Sequence, residues 1–437
     1  MTPATPKQMS EVLNKFNISD MDKATIRQIL AVANMLEEFT GEKFVHLELG
    51  NPGIPSEKIG IEAQCEALHN YVSNTYPNIM GIKPLKENGS AFVKAFLNID
   101  IPPECIVPTV GSMQGTYTLM TLLKMRQPGR DAILFLDPGF PAQHDQARLL
   151  GLEIVSFDIY NYRGAKLRNK LEEVLSKGNI TTMLYSNPNN PAWTNLTQEE
   201  LSIIGEMATK YDVVVLEDLA YMGMDFRTDF SHPYEAPYIP SVANYTDNYI
   251  LLASSSKIFS YAGERIAMVC MSPAVARREY KSYQKAFNMP RLGDAFVFGV
   301  LYCASSGVPH SSQYAMAAML KAATTGEINF VENTREYGRR ANRAKKAFTD
   351  AGFYLVYDMD GDHPISDGFF FTMGYNNMPG NELCKELLRY GVAVIPLKST
   401  GSHQNGIRIA VSMMRDDPTF KMLEERLKAF QDGHPIR

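Results

Sequence analysis

An α/β fold is predicted by two features of the 437-residue sequence. From about residue 105, seven apolar runs of strand length follow one another, at CIVPTV, AILFL, EIVSF, TTMLY, VVVLE, YILLAS and IAMVCM. Helical stretches separate many of them, and the runs are apolar throughout rather than alternating, which is the pattern of strands covered on both faces. Together they predict a large domain in which a mostly parallel seven-stranded sheet lies between helices. The pattern changes towards the C-terminus, where helices and paired short strands predict a smaller α+β domain completed by the N-terminal segment. The expected division is residues 1–46 and 321–437 for the small domain and 47–320 for the large one.

Each element has a local reason. Residues 20–41 start at Asp20, a capping residue, and stop at Gly41, with Ile26, Leu30 and Ala33 at helical spacing, so they predict an amphipathic helix. FVHLELGNPGIPS reads as a short strand that breaks into a loop at Gly50 to Pro55, where two prolines exclude regular structure. Between the seven runs, GTYTLMTLLKM, PAQHDQARLLG, LEEVLSKG and LTQEELSIIGEMATKYD are predicted helices. Residues 226–248, rich in proline and tyrosine, read as a long surface loop, and 281–312 have no clear period. Gln313 to Ala323 and Glu332 to Asp350 are predicted helices, the second carrying Arg339, Arg340, Arg343, Lys345 and Lys346 as a solvated face. FYLVYDMDGDHPISDGFFFTM suggests two strands around a turn, followed by a helix at 380–390, the strands GVAVIPL and GIRIAVSM, and the helix PTFKMLEERLKAFQD.

Composition narrows the function. Hydrophobic content of 45% with 21% charged residues excludes a disordered chain, and a net charge of −5 argues against a nucleic-acid partner, which requires a basic surface. No apolar run approaches the twenty or so residues of a spanning helix, and the N-terminus lacks an apolar signal core, so no membrane association and a cytoplasmic location are expected. Five well-separated cysteines with no Cys-x-x-Cys pair suggest reduced thiols, and none of the eight histidines stands in a ligand spacing that would call for a metal.

Chemistry-bearing residues gather at the predicted strand ends, where open α/β sheets bind their ligands. In LASSSKIFSYAGER, Lys257 follows three serines and precedes Arg265 by eight residues. A lysine of lowered proton affinity attacks carbonyl groups, and pyridoxal phosphate offers both a carbonyl for the lysine and a phosphate for serine hydroxyls and a guanidinium. GSMQG, Gly111 to Gly115, opens a helix whose free N–H groups suit a phosphate; it also suits a plain tight turn. Phe140 in DPGFP could lie on a heterocycle or belong to the core, and Asn190 in SNPNNP is held between prolines. Asp218, in DLAY, could pair with a pyridine nitrogen or cap a helix, and Tyr221 follows three residues later.

Taken together, Asn-Pro-x-Asn-Pro, Asp-x-Ala-Tyr, Ser-x-x-Lys with Arg eight beyond, and the late arginine of GIRIAVS resemble the pyridoxal-phosphate-dependent aminotransferases of fold type I, class I/II, from about Leu47 to the C-terminal helix. The resemblance implies that Lys257 is the Schiff-base lysine and proton carrier. It makes Asp218 the pyridinium partner, Asn190 and Tyr221 the donors to the ring oxygen, and Phe140 the stacking aromatic. The phosphate would be held by Gly111, Ser112, Met113, Ser254 and Arg265, with Tyr76 reaching it from the neighbouring subunit of a homodimer. Arg408 would grip the substrate carboxylate, helped by Gly50 and Asn190. The implied reaction is ping-pong transfer of an amino group from an amino acid to a 2-oxo acid. A lyase or decarboxylase on the same cradle is the alternative, and a non-catalytic regulator is a third. The sequence departs from the family at Ala192-Trp193, where Thr-Gly is usual, and at Pro396 to Gly401; both changes lie where substrate side chains are expected, and Arg291 and Lys398 are the candidates for a second carboxylate group.

Overall fold

The computed structural model describes residues 3–436 and divides into two lobes with separate hydrophobic cores. The larger core surrounds a seven-stranded sheet in the order Ile106–Thr109, Ala267–Met271, Tyr249–Ser254, Val214–Asp218, Ile180–Ser186, Ala132–Asp137 and Glu153–Asp158. All neighbours are parallel except Ala267–Met271, which runs antiparallel to both strands beside it. The seven apolar runs thus become the seven strands, within a residue or two. Six of the seven are buried along their whole length, as their unbroken apolar character requires, while the edge strand Glu153–Asp158 is partly open.

The carboxyl ends of Ile106–Thr109, Tyr249–Ser254, Val214–Asp218, Ile180–Ser186 and Ala132–Asp137 lie along one edge of this sheet, because these five strands share a direction. That edge is roofed by the smaller lobe. Its core joins the N-terminal helices Pro6–Lys15 and Ile26–Thr40 to a four-stranded antiparallel sheet and to the helices Gly380–Arg389 and Asp417–Gly433. In that sheet Phe370–Gly374 and Ile407–Ala410 are the central pair, between Tyr354–Leu355 and Ile395–Pro396. The helix Phe330–Asp350 serves both cores, giving Phe330, Val331 and Tyr337 to the larger and Ala341 to Phe348 to the smaller.

Several local expectations change. Asp20 caps only the short 3-10 turn Met21–Lys23, while the helix itself begins at Ile26 under a Thr25–Gln28 capping box; its fully buried residues are Ile29, Val32, Ala33 and Leu36, so that of the expected Ile26, Leu30 and Ala33 the last is buried and Ile26 packs half-buried against the same core. The segment 226–248 is not a free surface loop: Phe230, Ile239 and Val242 are buried, and the backbone N–H groups of Tyr234 and Ile239 donate to Ala95 and Phe96. Arg340 leaves the solvated face of its helix and is buried, donating through Nη1 to the Ser412 carbonyl 2.5 Å away. The segment from Phe353 onward makes a small hairpin, Met359–Asp360 with His363–Pro364, between the two expected strands Tyr354–Leu355 and Phe370–Gly374.

The lobes are joined around Asp360. Its carboxylate accepts from Arg163 (3.1 Å), from Arg227 (2.6 Å) and from the backbone N–H of Asn195 (3.0 Å), all three in the larger lobe. A second tie runs from Tyr357, whose hydroxyl donates to Asp158 at 2.7 Å.

Candidate active site

Lys257 sits at the strand end because its own sequence stops the strand. The Ser254 hydroxyl accepts from the N–H of Ser256, turning Tyr249–Ser254 into the single helical turn Ser255–Ile258. The Nζ of Lys257 donates to the carbonyl of Gly50 and stands 5.4 Å from the centre of the Phe369 ring. Burial, with the charges of Arg265 and Arg408 nearby, lowers its pKa to about 7. A lysine in that state is an amine at neutral pH for about half the time, which is what attack on a carbonyl requires.

The neighbouring strand ends at Asp218, which is buried. Its Oδ1 accepts from the Ala220 N–H at 3.1 Å and its Oδ2 from the side-chain amide of Gln143 at 2.9 Å, and burial raises its pKa to about 6. It caps no helix. A buried carboxylate with two neutral donors suits a ring N–H⁺, which would restore the charged form. Gln143 was not expected from sequence, although it lies one helical turn beyond Phe140, the half-buried N-cap residue of Pro141–Leu149, and therefore faces the same way.

The strand register pairs Ser186 with Asp218, so the turn after Ser186 lies beside the turn after Asp218. Asn189 fixes that turn by donating to the Pro138 carbonyl at 2.8 Å and accepting from the Ala192 N–H at 3.0 Å. Asn190 and Tyr221 are brought in on the two turns, both buried, and burial raises the Tyr221 pKa so that its hydroxyl keeps its proton for donation.

Gly111 opens the helix Gly111–Lys124 with φ of +66° and no side-chain cap, and a Cβ there would collide with the Arg265 guanidinium. The Ser112 hydroxyl is buried without a partner in the chain, and Met113 follows in the same first turn. Uncapped N–H groups, an orphaned hydroxyl and a guanidinium around one glycine suit a phosphate. The Ser254 hydroxyl is engaged in its own cap, so its side chain is bound to backbone here.

Arg408 is fully buried in Ile407–Ala410. It donates to the Glu48 carbonyl and, at 3.4 Å, to Asn190 Oδ1; its Nε is buried with no partner, and its guanidinium lies 4.6 Å from the Phe370 ring centre. Burial lowers its pKa to about 10, so it remains charged at neutral pH. Phe369 and Phe370 belong to the site although the sequence reading took them only for strand. Tyr337 also contributes, its ring tilted at 58° against Phe369 with centres 4.6 Å apart and its hydroxyl accepting from the Gly53 N–H at 3.1 Å, which anchors the Gly50 to Pro55 loop. Tyr76 is not brought to the site within the chain and is 92% exposed. Lys398 and Arg291 are also exposed, the latter 3.6 Å from Glu279.

Comparison with known proteins places the chain in a family. The family profile described as aminotransferase class I and II matches residues 47–425. Curated relatives include the aspartate aminotransferase of Pyrococcus horikoshii, 26% identical over 59% of this chain and 62% of that protein. Another is the (5-formylfuran-3-yl)methyl phosphate transaminase of Methanocaldococcus jannaschii, 26% identical over 93% of this chain and 96% of that one. The chain spans less than two thirds of the length of several such relatives. Among solved structures, an aminotransferase from Mycobacterium tuberculosis shares the fold with a TM-score of 0.75 at 18% identity, over 94% of this chain and 96% of that one. The N-succinyldiaminopimelate aminotransferase of the same organism does so with 0.73 at 19%, over 96% and 99%.

Proposed function

Because the chain belongs to the class I and II aminotransferases, we propose that it moves an amino group from an amino acid to a 2-oxo acid in two half-reactions, using pyridoxal 5′-phosphate. The observation that carries this reading is the buried Asp218 carboxylate, supported only by neutral donors, at the same sheet edge as a lysine of lowered pKa. Held there through a Schiff base with Lys257, the cofactor would supply a ring able to take up the electrons released when the Cα–H bond breaks. The first turn of Gly111–Lys124, Ser112 and Arg265 would hold its phosphate, and Asn190 and Tyr221 its ring oxygen. Phe140 would cover its face.

The chain's own groups then divide the work. Arg408 takes the substrate carboxylate with donors beyond those given to Glu48 and Asn190, which orients Cα towards Lys257. Lys257, freed as an amine, would act as the base that takes the Cα proton and as the acid that gives it back on the cofactor side of the substrate nitrogen. Asp218 would pair with the ring nitrogen and favour its protonated form. The second half-reaction runs these proton movements backwards on a 2-oxo acid, giving ping-pong kinetics. A second copy of the chain would complete the site through Tyr76, whose exposure beside the exposed Tyr71 and Leu68 supports a homodimer.

The test is the visible spectrum of the purified protein as amino acids are added singly. Loss of a yellow band, restored by a 2-oxo acid, is the expected result and names the donor. A yellow band that persists while ammonia or carbon dioxide is released would replace this reading with a lyase or decarboxylase. A solution mass of one chain would remove the shared site.

A further inference from the structure

Trp193 is the single tryptophan of the sequence and stands in the turn that follows Asn190. Its backbone is left-handed, at φ +62°, a conformation that a residue with a Cβ adopts at a cost. Its side chain is completely buried, and Nε1 has no acceptor in the chain. Two unfavourable features thus meet at one residue, and neither supplies a hydrogen bond to the site. What the indole does supply is shape. It lies against the Cα of Gly368, where a Cβ would overlap Cε2, Cζ2 and Nε1 of the ring, so the largest side chain of one lobe seats on a glycine of the other. From that seat the indole meets Tyr221 edge-on at 5.6 Å and Phe370 at 6.1 Å, and Tyr221 and Phe370 meet each other at 5.3 Å. Phe370 in turn carries the Arg408 guanidinium.

We infer that Trp193 is a positioning residue for substrate binding: seated on Gly368, it fixes the Phe370 ring, and with it the plane of the Arg408 guanidinium, relative to Tyr221. The inference rests on the reading of Arg408 as the carboxylate site. It explains why a bulky residue stands where a glycine would satisfy the backbone. The glycine lies across the lobe junction, and the pair sets the distance between the group that meets the substrate and the group that meets the ring.

Three variants test this. Trp193→Phe keeps an aromatic ring but loses area, and should raise the KM of both the amino acid and the 2-oxo acid about tenfold while kcat changes less than about threefold. Gly368→Ala forces the indole to move, and should raise KM similarly and shift the emission of the sole tryptophan to longer wavelength, with or without cofactor. In the double variant the smaller phenyl leaves room for the methyl, so KM should be no higher than in Trp193→Phe alone, a non-additivity expected only of groups in contact. Calorimetric affinity for the 2-oxo acid provides a readout independent of turnover. Wild-type protein that binds no amino or 2-oxo acid would overturn the reading of Arg408. Wild-type protein that binds them, with variants that bind equally well and lose only thermal stability, would overturn the inference and leave Trp193 a core residue.

Discussion

At Lys257, burial and the guanidinium groups of Arg265 and Arg408 act in the same direction, each disfavouring the ammonium. The pKa falls from its ordinary 10.5 to about 7, so the amine form gains as pH rises through that value. Asp218 moves the other way, from 3.8 to about 6, and its carboxylate also gains as pH rises. Both changes favour cofactor capture on the alkaline side. The rate at which cofactor-free protein takes up pyridoxal phosphate should therefore rise with pH through about 7 and fall steeply below 6, read as growth of the yellow band. The same shifts have opposite effects on stability. Between about 7 and 10.5 the unfolded chain holds more protons at Lys257, so that contribution improves as pH rises; between 3.8 and about 6 the folded chain holds more at Asp218, so that contribution weakens. Lys257→Ala should abolish the covalent yellow band and lower turnover by at least about 10³-fold, with the cofactor still bound non-covalently. Sequence reading singled out Lys257 and Asp218 because one follows three serines just past an apolar run and the other ends one, but it did not find Gln143 or Phe370. Their partners, Asp218 and Arg408, lie on other elements of the chain.

Among the elements, the helix Gly111–Lys124 makes the sharpest demand on its sequence. Its first residue holds φ at +66° and has the Arg265 guanidinium where a side chain would begin. Gly111→Ala should add about 1–2 kcal/mol of backbone strain and displace Arg265, weakening cofactor binding by roughly tenfold or more in a spectral titration. The strands were legible because an apolar run bounded by turn residues leaves few other options. The helices Pro6–Lys15, Lys58–His69 and Lys83–Leu97 were not read, although the first has a plain signal in Thr5, Pro6 and Gln8, a capping box with proline at its start. In the helix Ile26–Thr40 the expected Ala33 is buried and Ile26 packs half-buried against the same core, while Ile29, Val32 and Leu36 complete the face.

Across the whole molecule, the junction of the lobes decides whether Arg408 reaches the sheet edge, and Asp360 is its polar centre. Asp360→Ala would leave Arg163, which is mostly buried, with Glu200 and the Asn195 carbonyl but one carboxylate short, and free the Asn195 N–H. A loss of about 3 kcal/mol in urea unfolding is expected, whereas the exposed Asp362→Ala should change stability by less than about 0.5 kcal/mol.

The sequence by itself determined the seven strands, the turns that end them and the residues presented there, since burial pattern, capping and turn chemistry act over a few residues. It also determined the family, through motifs whose order and spacing lie along the chain. Only the tertiary structure decided which distant surfaces meet. Arg408 finds Asn190 across 218 residues and the Glu48 carbonyl across 360. Trp193 finds the bare Cα of Gly368, and Arg340, which reads as one cation among five on a polar helix face, turns inward to Ser412. Local preferences fix the shape of each element, but a contact between lobes depends on the packing of whole elements around two cores, and no short stretch of sequence carries that information.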